Sequence, residues 1–243
     1  MDPALIDACF FDPLGREQRM VWADAVQQVA FERCGVVRRF PVRAGRRVAP
    51  GWWWSATDGR LVHYGSGLMR MQVMLLDRDP SVVGLACRPV ELLWRGSGGA
   101  VLSHAPHLLA RLADGTAALV DCVGRDGMSP EHARRAAVVA AAAAAVGWHY
   151  RAVGPPDPVL AANVRWLAGY RHPRYAATGT EAGQLLGCYS RPRPLIDGVR
   201  ELGDPLKVLP MVFHALWRGD LTVALTEPLH ERALVVVGAG EVA

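Results

Sequence analysis

Two apolar runs, Leu108–Leu112 and residues 117–123, flank the tetrapeptide Ala113-Asp114-Gly115-Thr116, and this feature constrains the fold most tightly. An Asp-Gly pair tolerates positive φ, so it closes a tight reversal and makes the two runs an antiparallel hairpin. Pro130 suits the first turn of a helix that runs to Val146, where Gly147 stops it. A strand over residues 148–153 follows. Upstream, residues 66–77 place Leu68, Met71, Gln72, Leu75 and Leu76 on one helical face before Asp79-Pro80 ends the helix. Val82–Cys87 and residues 90–94 are β-rich runs split by Arg88-Pro89, and residues 96–99 form a turn.

Nearer the N-terminus, residues 14–34 carry Trp22, Ala25, Val26, Val29 and Ala30 at helical spacing, which predicts a helix. Arg38, Arg39, Arg43, Arg46 and Arg47 make a basic segment after it. Trp52-Trp53-Trp54, a turn at Thr57-Asp58-Gly59 and a strand over Leu61–Tyr64 predict a second hairpin. Together these elements predict an α/β chain, a mixed sheet flanked by helices. Gly154-Pro155-Pro156 marks a boundary. Beyond it, helices are expected at residues 158–170, 181–189 and Pro205–Arg218, with short strands near 221–225 and 233–237. The expected division is therefore an N-terminal helix and basic segment (1–50), a core (51–153) and a small, mainly helical C-terminal domain (154–243).

Of the 243 residues, 51% are hydrophobic, enough for a packed core. The longest apolar stretch, residues 136–146, is shorter than the roughly 20 residues needed to span a bilayer. Residues 1–12 carry Asp2, Asp7 and Asp12 and no basic residue, the wrong charge for a secretory or transit signal. The five cysteines are scattered, with no zinc-like spacing, which fits a reducing, cytoplasmic setting. A net charge of +4 falls short of a dedicated DNA-binding module. The sole lysine is Lys207, so any mechanism that needs a lysine has one choice.

Several words along the chain resemble the TnsA-like endonuclease subunits of heteromeric transposases found in actinobacteria. They are Trp52-Trp53-Trp54-Ser55, Leu75-Leu76-Asp77, Asp79-Pro80-Ser81-Val82-Val83-Gly84, His104-Ala105-Pro106, the Asp114-Gly115 turn, Val120-Asp121 and Val146-Gly147-Trp148. The longest is Ala162-Asn163-Val164-Arg165-Trp166-Leu167-Ala168-Gly169-Tyr170-Arg171-His172-Pro173-Arg174, and the last is the helix end at residues 213–218. The resemblance implies a restriction-endonuclease-like core. Such a nuclease needs a glutamate on the first core helix, a Pro-Asp at a strand start and an acid-x-Lys on the next strand. Carboxylates hold a magnesium ion that activates water, and the lysine stabilises the transition state.

This chain departs at most of those positions. Gly65 and Met69 stand where the helix glutamate belongs, Pro-Asp has become Pro106-His107, and acid-x-Lys has become Asp121-Cys122-Val123. One carboxylate and one imidazole suit magnesium poorly, so no metal ligand is assigned, and magnesium is expected only if nuclease activity survives. Glu91 and Asp126 are the acids that a surviving nuclease would have to recruit.

The candidate catalytic residues are then His107, Asp121 and Cys122. His107 and Asp121 read either as an acid–base pair on neighbouring strands or as inert replacements. Cys122 reads as a nucleophile or, since alternation turns it away from Asp121, as a buried inert thiol. Arg165, Tyr170, Arg171, His172 and Arg174, with Tyr175 and with Arg191 and Arg193 as an extension, read as phosphate and base contacts or as packing. The alanine run at residues 136–145 is expected to pack in the chain's own core. The leading expectation is a catalytically impaired endonuclease-fold subunit that binds duplex DNA or protein in a transposase-type assembly. The alternative is a small-molecule biosynthetic enzyme using the old cleft around His107 and Asp121.

Overall fold

The computed structural model describes residues 5–40 and 50–238. Contacts divide the chain into two units, Met1–Leu76 with Ser81–Pro155 and Asp77–Pro80 with Pro156–Ala243.

The first unit opens with a hairpin where a single helix is expected. β1 (Asp7–Phe11) pairs antiparallel with β2 (Glu17–Val21), and only then does a short helix α1 (Trp22–Gln28) begin, followed by a 3-10 turn at Phe31–Arg33. Local chemistry overrides the helical pattern. The Asp12 carboxylate accepts the backbone N–H groups of Leu14 and Arg16, each at 2.9 Å, and Gly15 takes φ +79°, which together reverse the chain. The helical spacing of Trp22 and Ala25 is real, but it governs α1 alone. β1 also pairs with β6 (Glu91–Arg95), so the N-terminal strands share a sheet with residues expected to lie in a separate core. Within the expected basic segment, Arg43, Arg46 and Arg47 lie outside the described residues.

β3 (Gly51–Trp54) and β4 (Leu61–Tyr64) form the expected hairpin, turned at Gly59. Ser66 Oγ accepts the N–H of Met69 at the start of α2 (Gly67–Arg78), and β5 (Val82–Cys87) follows. β7 (Val101–His104) was not expected; the turn at Gly99, φ +78°, folds it back onto β6. β8 (Leu108–Leu112) and β9 (Ala117–Cys122) form the hairpin closed by Asp114-Gly115. α3 (Pro130–Ala144) starts at a Ser129 cap and ends ahead of Gly147, φ +75°, and β10 (His149–Val153) pairs parallel with β9.

These strands build two main sheets, an antiparallel β2-β1-β6-β7 and a mixed β10-β9-β8-β5. One core joins Phe10, Trp22, Phe31, Leu92 and Trp94 to Leu109, Leu119, Val139, Ala142, Ala143 and Trp148. The alanines of α3 let Trp22 approach the helix backbone, where its indole N–H donates to the Ala142 carbonyl at 2.9 Å. Trp22 and Trp148 meet edge to face at 5.3 Å.

In the second unit, Asp157 caps α4 (Pro158–Leu167), and α5 (Thr180–Cys188) follows two 3-10 turns. A short β11 (Arg193–Pro194) and an unexpected α6 (Leu195–Leu202) precede α7 (Pro205–Arg218), which ends at Gly219, φ +85°. β12 (Leu221–Thr222) and β13 (Leu234–Val237) complete a small sheet with β11. α6 packs its glycine against a ring: a side chain on Gly198 would collide with Tyr189. Among the described residues, no helix is long and apolar enough to cross a membrane.

Trp22→Ala removes a fully buried indole and orphans part of its cavity wall. It should lower unfolding free energy by about 3–5 kcal/mol, read as a reduced urea midpoint.

Candidate functional site

Strand alternation places Ala117, Leu119 and Asp121 on one face of β9. Ala117 and Leu119 belong to the core, so Asp121 continues an apolar row and ends up fully buried. The β8–β9 register pairs Leu108 with Val120, which puts His107, one residue ahead of β8, beside Asp121. That juxtaposition is the one the sequence predicts. Three further side chains arrive from other elements: His104 from the end of β7, His132 from the first turn of α3 and Tyr150 from β10.

A buried carboxylate must be satisfied by protein donors. Asp121 Oδ2 takes a hydrogen bond from the Tyr150 hydroxyl at 2.6 Å and lies 2.6 Å from His104 Nε2. Since an ionised carboxylate only accepts, His104 carries its proton on Nε2. Oδ1 accepts the backbone N–H of His107 at 3.3 Å and sits 3.1 Å from His107 Nδ1. Burial pushes the Asp121 carboxyl up, but hydrogen bonds from His104, His107 and Tyr150 outweigh it and hold the group well below the usual carboxylate range. Burial and the neighbouring Asp121 push the Tyr150 phenol far above its ordinary value, so Tyr150 is a fixed donor.

His107 has two mutually exclusive uses for Nδ1. Protonated, it donates to Asp121; bare, it accepts the Cys122 backbone N–H at 3.0 Å. Its main chain is fixed independently, because its carbonyl accepts the N–H of Arg88 at 3.1 Å. Cys122 meets His107 through its backbone, and burial, then the Asp121 charge, push its thiol up to about 12. A nucleophilic Cys122 is therefore not what this geometry builds.

The positions of the missing acids are occupied. Met69 is buried, and a side chain on Gly65 would collide with the Phe40 ring. Glu91 is engaged by Arg38 in a close ion pair, while Asp126 lies in an exposed loop. Lys207 belongs to the second unit.

Among the described residues, His104, Asp121 and His132 offer one ligand atom each, all within 4.8 Å of one another. His132 Nε2 is buried without a hydrogen-bond partner, 3.6 Å from Asp121 Oδ2. His104, His132 and Tyr150 were missed by sequence reasoning. The only local sign was the His104-x-x-His107 spacing.

The basic cluster divides by role. Tyr170 packs on Phe213, Trp166 and Tyr175, and Arg171 donates to the Ala168 carbonyl at 2.7 Å. His172 Nδ1 accepts the Arg174 N–H, closing a 3-10 turn. Arg165 and Trp166 are exposed on α4, and the exposed Arg174 guanidinium stacks over Tyr175 at 4.7 Å. Arg193 is paired with Glu201 at 2.8 Å, and Arg191 is exposed.

Asp121→Asn turns an acceptor into a partial donor facing Tyr150 and His104, and should cost about 3 kcal/mol in chemical denaturation. A thiol near 12 is protonated at pH 8, so native Cys122 should resist iodoacetamide there and react once the chain is unfolded; peptide mapping by mass spectrometry reads both. Compared with family models and with curated proteins, the chain matches none, and the reading of this site rests on its own geometry.

Proposed function

We propose that the chain is an endonuclease-like subunit that has lost phosphodiester hydrolysis and holds DNA within a transposase-type assembly. The observation that carries the reading is the state of Asp121. It is the one carboxylate among imidazoles and a phenol, His104, His107 and Tyr150, and Gly65 and Met69 supply no second carboxylate. Magnesium demands near-octahedral oxygen ligation with metal–oxygen distances of about 2.0–2.1 Å, and this donor set does not provide it. The mixed sheet supports the scaffold: α2 precedes β5, β6 and β7 leave for the other sheet, and β8, β9, α3 and β10 follow, with β10 parallel to β9.

Two features of the second unit support DNA contact. Arg165 stands beside Trp166, which is 57% exposed although one side of its ring meets Tyr170 and Phe213, and Arg174 is held flat by Tyr175. Tyr170 serves this surface as scaffold, since its ring is spent on Phe213.

Binding of a fluorescent duplex, followed by anisotropy across a salt series, tests the proposal. Binding should weaken linearly in log–log form as salt rises. Arg165→Ala with Arg174→Ala should reduce the slope by about 2, one per lost phosphate contact. No nicking of supercoiled plasmid is expected in magnesium or manganese. Absence of duplex binding at low salt, or magnesium-dependent nicking that Asp121→Asn abolishes, overturns it.

A further inference from the structure

We propose that His104, Asp121 and His132 form a binding site for a zinc-class dication. The inference goes beyond the loss of magnesium chemistry and does not depend on DNA binding.

The orphaned nitrogen of His132 is the starting point. Among the described residues its buried Nε2 has no hydrogen-bond partner, and it faces Asp121 Oδ2 at 3.6 Å. If Nε2 is bare, its lone pair points at an anion. If Nε2 is protonated, the carboxylate is too far for a hydrogen bond. Either state leaves a buried polar atom unsatisfied, and a cation between the two groups relieves both. The backbone of His132 is fixed there, because its N–H donates to the Ser129 cap at 3.2 Å.

The three ligand atoms lie within 4.8 Å of one another, and a small shift brings them to a tetrahedral ion. Zinc bonds of about 2.0–2.2 Å to nitrogen and oxygen set neighbouring ligand atoms about 3.4 Å apart. The Asp121–His132 separation of 3.6 Å already meets this. His104 Nε2 lies 2.6 Å from Asp121 Oδ2 and must retreat by about 0.8 Å, giving up its Nε2 proton to bind. Solvent carries that proton from Nε2 to Nδ1, so the imidazole stays neutral, and the hydrogen bond is exchanged for a metal bond. Two imidazoles and one carboxylate select a borderline-soft first-row ion over magnesium or calcium, and leave a fourth position for water.

The support around the ligands also suits a metal. The three come from β7, β9 and α3, elements held by the sheet and core. Donors from Tyr150 and the His107 backbone orient the carboxylate, as outer partners of metal ligands do.

The full chain, stripped with chelator, is titrated with cobalt(II) as a spectroscopic stand-in for zinc. One equivalent should bind with the intense visible bands of a four-coordinate ion; stoichiometric zinc should displace it, and excess magnesium should not. His132→Ala and His104→Ala should each weaken cobalt binding at least tenfold. His149→Ala, an exposed histidine outside the triad, should leave it unchanged. His132 decides the outcome even if the His104 variant folds poorly, because its side chain is about a third exposed and its Nε2 makes no hydrogen bond. Matching circular dichroism of the metal-free His132→Ala and wild-type chains confirms a common fold. Failure to see a saturable cobalt band overturns the site, and so does equal affinity in His132→Ala and wild type. Duplex binding lost with cobalt binding intact would sink the DNA reading alone.

Discussion

An ionised carboxylate taken wholly out of water has to be solvated by the protein itself, and in the first unit that demand falls on several elements at once. Asp121 sits at the end of the core row of β9, and its hydrogen bonds come from β7, from the residue ahead of β8 and from β10. Each contact pins the end of a strand. The register of the mixed sheet, the position of the last β7 residue and the tilt of Tyr150 are therefore tied to one side chain. A hydrophobic residue there would remove the desolvation cost, yet it would also release these ends.

The opposite end of the same core is held by packing. Trp22 and Trp148 meet edge to face against the small residues of α3, and the Trp22 indole closes its only donor onto the helix carbonyl of Ala142. Alanines at 142 and 143 matter for what they lack: a larger side chain would hold the indole away from that carbonyl. Apolar contact at one end, and at the other the Arg135 guanidinium donating to the Ser103 carbonyl at 3.2 Å, fix α3 across the sheet, and this sets where the ring of His132 falls.

Much of this was legible in the chain. The hairpin around Asp114-Gly115, the helix opened by Pro130 and the strand after Gly147 follow from turn chemistry and periodicity, and pairing across the hairpin set His107 beside Asp121. The failures have particular causes. Residues 14–34 carry helical spacing, but the Asp12 carboxylate and Gly15 reverse the chain first. β7 has too little apolar alternation to be seen, and α6 follows two prolines that read as loop. The partners of Asp121 were hidden for another reason. His104 is 17 residues away and Tyr150 is 29, and no local rule links a histidine on one sheet to a carboxylate on another. That Cys122 faces away from Asp121 was legible, because alternation separates neighbouring residues of β9.

Position 65 illustrates how far one missing side chain can reach. The room beside Gly65 is taken by the Phe40 ring, and the Arg88 guanidinium lies over that ring at 4.0 Å. Arg88 in turn donates to the Arg38 carbonyl at 3.3 Å, and Arg38 grips Glu91 on β6. Enlarging residue 65 would push a stacked ring, then two guanidiniums, then a sheet strand. The end of the β3–β4 hairpin and an interior strand of the other sheet are thus coupled like gears, and a volume change at either one would be transmitted to the other.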